Sequence, residues 1–105
     1  MNFSLNSYQH DALSFRLPSA TPEYALINLP GEVGELCSLK AKAIRDGRNP
    51  FHDQDVKKEL GDILWFVAAI AADHGFTLEN IALSNIMKLS ARKEAGTLQG
   101  SGDNR

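Results

Sequence analysis

The chain has 105 residues, 43% of them hydrophobic and 23% charged, the mixture of a single ordinary globular domain. Its net charge of −2 at pH 7 excludes a general electrostatic pull toward nucleic acid or an anionic membrane. The single cysteine, Cys37, excludes an internal disulfide, and in its helical, apolar context it reads as a small packing residue.

The hydrophobic period is helical throughout. Leu5, Tyr8, Ala12 and Phe15 mark a first short amphipathic helix that stops around Leu17-Pro18. Thr21-Pro22-Glu23 then supplies a cap, a proline at the first helical position and an acid at the positive end of the dipole, so a second helix starts there. Leu26, Leu29, Val33, Leu36, Leu39, Ala43 and Ile44 carry its apolar stripe to Asp46-Gly47, and Pro30, which removes one internal hydrogen bond, is expected to bend it. After a polar loop from Arg48, Asp53 or Asp55 caps a third helix running to His74, with Gly75 placed to end it. Thr77 caps the fourth, flanked by Phe76 and Ile81 at the two positions of a hydrophobic staple. Residues 1–95 thus read as one all-α, four-helix bundle-like domain, and the glycine-rich, polar segment 96–105 as a flexible tail that could also close over a ligand.

The third helix displays Leu60, Ile63, Leu64, Trp65, Phe66, Val67 and Ile70 around its whole circumference, more than the other helices of so small a chain can cover. A homodimer or a dimer of dimers is therefore expected, with Trp65 and Val67 as first candidates for the shared interface. The N-terminus lacks the basic region and apolar core of a signal peptide, and the uncharged run from Ile63 to Ala72 is too short to cross a bilayer. A cytoplasmic protein with no membrane or nucleic-acid partner is expected.

Four acids carry the chemistry. Glu32 with Glu35, in Gly-Glu-Val-Gly-Glu-Leu, and Glu59 with Asp62, in Glu-Leu-Gly-Asp-Ile-Leu, are each spaced to share one helix face. From Leu60 to Ala72 Asp62 is the one charged residue, and a carboxylate in such surroundings needs a basic partner, a raised pKa or a metal ion. If the second and third helices pack antiparallel at the usual 8 to 10 Å, the pairs approach to about 6 Å and each like-charge contact costs roughly 3 kcal/mol at an effective dielectric near 20. All-oxygen ligands, with no His or Cys at metal spacing, favour Mg²⁺ over iron or zinc, with Mn²⁺ as a possible substitute. Gly31, Gly34 and Gly61 leave room beside the acids, and Mg²⁺ held by few carboxylates completes its shell with water and phosphate oxygens. Cationic partners for a phosphate exist: Asn85, Lys88 and Arg92 form one stripe on the fourth helix, and Lys42 lies seven residues after Glu35.

Glu32-x-x-Glu35 followed by Glu59-x-x-Asp62, and the strings around them, resemble the all-α nucleoside triphosphate pyrophosphohydrolases, in particular the MazG-like branch. The likeness extends over roughly residues 5 to 94, since Tyr8 to Ala12 is similar to the family's opening helix and Asn85-x-x-Lys88-Leu89-x-x-Arg92 to its fourth-helix motif. Pro30 and the lack of a second acid beside Glu59 depart from the pattern without removing a motif residue. The resemblance implies Mg²⁺-dependent cleavage of a (deoxy)nucleoside triphosphate to a monophosphate and pyrophosphate, in keeping with house-cleaning of the nucleotide pool. Glu32, Glu35, Glu59 and Asp62 would hold the metal, with Glu35 also chosen as base. Lys88, Arg92 and Lys42 would clamp phosphate, and Asn85 would bond sugar or phosphate. Phe66, one turn after Asp62, either stacks on the base or packs the core. Asn28, one turn before Glu32, either meets a base edge or caps the segment bent by Pro30. Two other readings remain at this level: a dUTP-, dCTP- or phosphoribosyl-ATP-specific hydrolase on the same fold, and a non-catalytic helical interaction module.

Overall fold

The computed structural model describes residues 2–47 and 53–103. Four α-helices, α1 (Leu5–Leu13), α2 (Pro22–Arg45), α3 (Asp53–Asp73) and α4 (Leu78–Ala95), make up the fold, and no strand occurs among the described residues. The loop expected from Arg48 lies outside them up to residue 52.

Local chemistry sets the helix ends. Thr21 Oγ1 accepts from Tyr24 N–H at 3.2 Å with Pro22 behind it, and Thr77 Oγ1 accepts from Asn80 N–H at 3.1 Å, so both expected caps are in place. α1 has a capping box that the apolar pattern did not expose: Ser4 and Ser7 each accept the other's backbone N–H. α3 is closed around Gly75, where Phe76 N–H reaches back to Ala71 O at 2.8 Å. Gly96, at φ 73° in the left-handed region, closes α4 with Thr97 N–H on Arg92 O at 2.9 Å. Asp55 lies inside the first turn of α3 and is not its cap. α2 remains helical through Pro30, which leaves Leu26 O without its helical donor.

α1 ends at Leu13, short of the expected Leu17-Pro18, and the chain continues to Arg16 in tighter i to i+3 turns. A tertiary tie accounts for this. Arg16 places both terminal nitrogens on Asp73, at 2.8 and 2.9 Å, and its Nε on Ala20 O at 2.8 Å, which anchors the α1–α2 connection to the end of α3.

α2 and α3 form the principal pair, α1 crosses α3, and α4 touches α1 and α3 but not α2 among the described residues. Their core is built from small side chains. Ala25 and Ala69 are wholly buried beside Phe66 between α2 and α3, and Ala68 and Ala71 pack with Leu78 where α4 begins. Among the described residues no large side chain is fully enclosed, and the radius of gyration, 16.7 Å, exceeds the about 13 Å usual for this length. Directional bonds supplement the thin core. Buried Gln9 donates Nε2 to Ala68 O and Phe76 O, at 3.1 and 3.2 Å, and accepts from Leu78 N–H at 3.0 Å, fastening α1 to the α3–α4 turn. Trp65 donates Nε1–H to Ala12 O at 2.9 Å, and Val67 packs on the Leu78 cluster, so both candidate interface residues are engaged within the chain.

Gln9→Leu should lower stability by about 2–4 kcal/mol, because it strands one buried donor and removes a donor from two carbonyls. The Arg16 hydrogen bonds hold the Asp73 carboxyl below its ordinary value of 3.8. Its contribution is therefore complete above that value and lost as pH falls through the folded pKa. Thermal melts should show Asp73→Asn less stable than wild type by about 1–2 kcal/mol near pH 6, with the gap closing below about pH 4.

Candidate metal centre

The two helices that pair most extensively are the two that carry the acids, and alanine at their crossing lets the backbones come close. Oxygens of Glu32 from α2 and of Glu59 and Asp62 from α3 lie within 4.8 Å of one another. Asp62 is open to solvent while Glu32 and Glu59 are half-buried. One oxygen of Glu59, Oε2, is enclosed and has no hydrogen-bond partner. Asn28 Nδ2 donates to Glu32 Oε1 at 3.4 Å across the Pro30 turn.

Electrostatics follow from this crowding. Burial, then the charges of Asp62, Glu35 and Glu59, push the Glu32 carboxyl above its usual 4.5, a rise eased by the Asn28 bond. Burial, then Glu35, Asp62 and Asp55, push Glu59 the same way. Tyr8 of α1 is raised too, by burial first and by the Asp62 charge second. Two carboxyls pushed toward protonation, a third carboxylate within 4.8 Å of them and an orphaned buried oxygen form a donor set that suits a hard divalent ion.

The other expected residues fall into three places. Glu35 is exposed and outside the triad. It lines an adjoining cleft of about 330 Å³ with Gly31, Gly34, Ser38, Lys42 and Glu59, so Lys42 does face the acids' surroundings. Beta carbons added at Gly34 and Gly61 would meet nothing within 4 Å, which leaves the room expected beside the acids. Asn85 and Lys88 share a separate cleft of about 350 Å³ with Phe76 and Ile81 along α4, and Arg92 follows one turn later, 6% exposed. Among the described residues α4 makes no contact with α2, so this cationic stripe and the Glu32 pair belong to separate regions of one chain. Phe66 sits in the core at 9% exposure, 5.0 Å from the Trp65 ring and 6.5 Å from Tyr24. Of its two readings, the structure favours packing.

Sequence reasoning missed a third cleft, about 410 Å³, where Asn28 joins Ser19, Thr21, Glu23, Tyr24 and Ile27. The signal was the exposed aromatic Tyr24 one turn before Asn28. Asp103 was also undervalued: its Oδ1 accepts from Lys88 Nζ and Arg92 Nη2, each at 3.0 Å.

Without metal, Glu32 and Glu59 stabilise the fold better protonated than charged, and that advantage is lost as pH rises through their folded pKa values. In chelator, the melting temperature should therefore rise as pH is lowered from about 7 toward about 5, before the Asp73 loss sets in. Asp62→Asn should flatten this rise and melt higher than wild type at pH 7, whereas a flat wild-type profile would contradict the crowding.

Residues 20–97 match the family described as MazG nucleotide pyrophosphohydrolase domain. The gene 37 protein of Mycobacterium phage L5 is 38% identical over 85 residues, which cover 78% of this chain and 75% of the phage protein. No solved structure gives a significant match.

Proposed function

From the premise that the chain belongs to the MazG nucleotide pyrophosphohydrolase family, we propose that it cleaves a (deoxy)nucleoside triphosphate to the monophosphate and pyrophosphate with Mg²⁺, Mn²⁺ serving as substitute. The observation that carries the reading is the triad of Glu32, Glu59 and Asp62, with oxygens within 4.8 Å and the buried Glu59 Oε2 unmatched. A helical interaction module would have no use for such a strained group.

Bound there, a divalent ion would offset the triphosphate charge and make a coordinated water more acidic. Glu32, Glu59 and Asp62 would be its ligands. Glu35, exposed on the cleft wall it shares with Glu59, would accept a proton from water entering that cleft, and Lys42, two turns further along α2 in the same cleft, would offer a cation to a phosphate oxygen. Asn28, already bonded to Glu32, orients that carboxylate and opens onto the Tyr24 cleft, whose aromatic wall suits a base better than enclosed Phe66 does.

Lys88, Arg92 and Asn85 complete the phosphate clamp from a second copy of the chain. Two features support that arrangement. α4 does not reach α2 within one chain, and Leu26, Ile27 and Val33 of α2, Leu60 and Leu64 of α3, and Leu83, Ile86 and Met87 of α4 are left exposed. The interface is accordingly drawn from these faces, in a homodimer or dimer of dimers. No helix among the described residues is long and apolar enough to cross a membrane, and action on cytoplasmic nucleotides suits this reading.

A product assay against the eight common triphosphates with Mg²⁺ should release pyrophosphate and no orthophosphate. Glu32→Gln, Glu59→Gln and Asp62→Asn should each cost at least about 100-fold in kcat while remaining folded. Wild-type turnover in all three would remove the assignment. Sedimentation should give a dimer or larger at micromolar concentration, and mixing Glu59→Gln with Arg92→Gln protein should recover activity that neither homo-oligomer has.

A further inference from the structure

Beyond Gly96 the chain does not run off into solvent but returns along α4. Gly100 N–H bonds Thr97 O at 3.1 Å, Gly102 takes φ 80°, a backbone state other residues rarely adopt, and Asp103 is thereby brought back to Lys88 and Arg92. The Arg92 side chain is 7% exposed and Asp103 80%, so the tail supplies an exposed acid to an almost enclosed guanidinium.

The fit is incomplete. The Nε and Nη2 nitrogens of an arginine form one edge whose two donors match two oxygens of a single anion. Here Asp103 meets that edge with one oxygen, on Nη2, and shares the same oxygen with Lys88 Nζ. Gly102 O adds only a 3.5 Å contact to Nη2, and buried Arg92 Nε has no hydrogen-bond partner. A buried donor without an acceptor is costly, and a phosphate group has oxygens enough to satisfy Nε, Nη2 and Lys88 Nζ together. The pair is thus shaped for a multi-oxygen anion and is held by a carboxylate that uses it partially.

We propose that Asp103 is an internal stand-in for phosphate, so that the tail over residues 97–103 competes with the triphosphate for Lys88 and Arg92 and must release before substrate engages them. This rests on reading those two residues as the phosphate clamp. It also reverses the sign expected of a lid, because a lid adds contacts in the complex and a stand-in removes them from it. An exposed carboxylate on two cations makes a weak latch, and a latch that is closed most of the time lowers apparent affinity by the fraction of open molecules, here about three- to tenfold.

The test uses full-length protein and inorganic tripolyphosphate in Mg²⁺, titrated calorimetrically. Asp103→Ala should bind tripolyphosphate about three- to tenfold more tightly than wild type, Asp103→Asn should fall between, and adding Arg92→Gln to Asp103→Ala should erase the gain. On the best nucleotide, Asp103→Ala should lower KM by the same factor with kcat unchanged. Unchanged or weaker tripolyphosphate binding by Asp103→Ala overturns the proposal, weaker binding marking a lid. A gain that survives Arg92→Gln overturns it as well, by putting the tighter binding elsewhere. Because the titration needs no hydrolysis, loss of the latch with turnover intact and loss of turnover with the latch intact are separate results.

Discussion

Mutual repulsion among carboxylates held on facing helices is the constraint around which this molecule is organised. Two helices that meet through alanine come close enough to set Glu32 against Glu59 and Asp62, and the same closeness takes part of each acid out of water. Either effect alone would be ordinary. Together they leave an enclosed, unmatched oxygen on Glu59, and a fold that retains such an oxygen is less stable without a cation than with one.

The alanine crossing that brings the acids together also thins the core, since small side chains bury little area each. The chain compensates with directional bonds at its joints. Gln9 fastens α1 to the α3–α4 turn, Trp65 fastens α3 to the end of α1, and Arg16 fastens the α1–α2 connection to Asp73. All three hold α1 or the segment after it, so the shortest helix acts as the tie between the α2–α3 pair and α4. Its Tyr8 also feels the Asp62 charge, which links this tie to the acid cluster. Many of the apolar side chains left exposed outside these joints lie on α2, α3 and α4.

Among the described residues the cations of α4 are kept apart from the Glu32, Glu59 and Asp62 cluster. Lys42 lies beside Glu35, but Lys88 and Arg92 are on a helix that does not touch α2 and are met instead by Asp103. This separation matters physically, because cations inside the acid cluster would neutralise it and remove the reason to bind a metal. The α4 cations Lys88 and Arg92 are paired instead with Asp103 of the tail.

Much was legible in the linear pattern. The helical period, the Thr21-Pro22 and Thr77 caps, Gly75 as a terminator, and the i, i+3 acid pairs are local features, each set by residues within a turn or two of one another. They determined an all-α chain and the identity of its acids. What the pattern could not carry were relations between residues far apart in the chain. That Arg16 would seek Asp73 and shorten α1, that Trp65 would bond Ala12, and that Phe66 would be enclosed were decided by how helices cross. The division of the four acids into a triad with Glu35 set beside it is of the same kind, since spacing along a helix fixes a shared face but not the distance across to the next helix. The tail makes the contrast plainest: its glycines announced only freedom, and it took the folded position of Lys88 and Arg92 to give Asp103 a destination. Local sequence determined the elements and their chemistry, and packing between elements decided which charges meet.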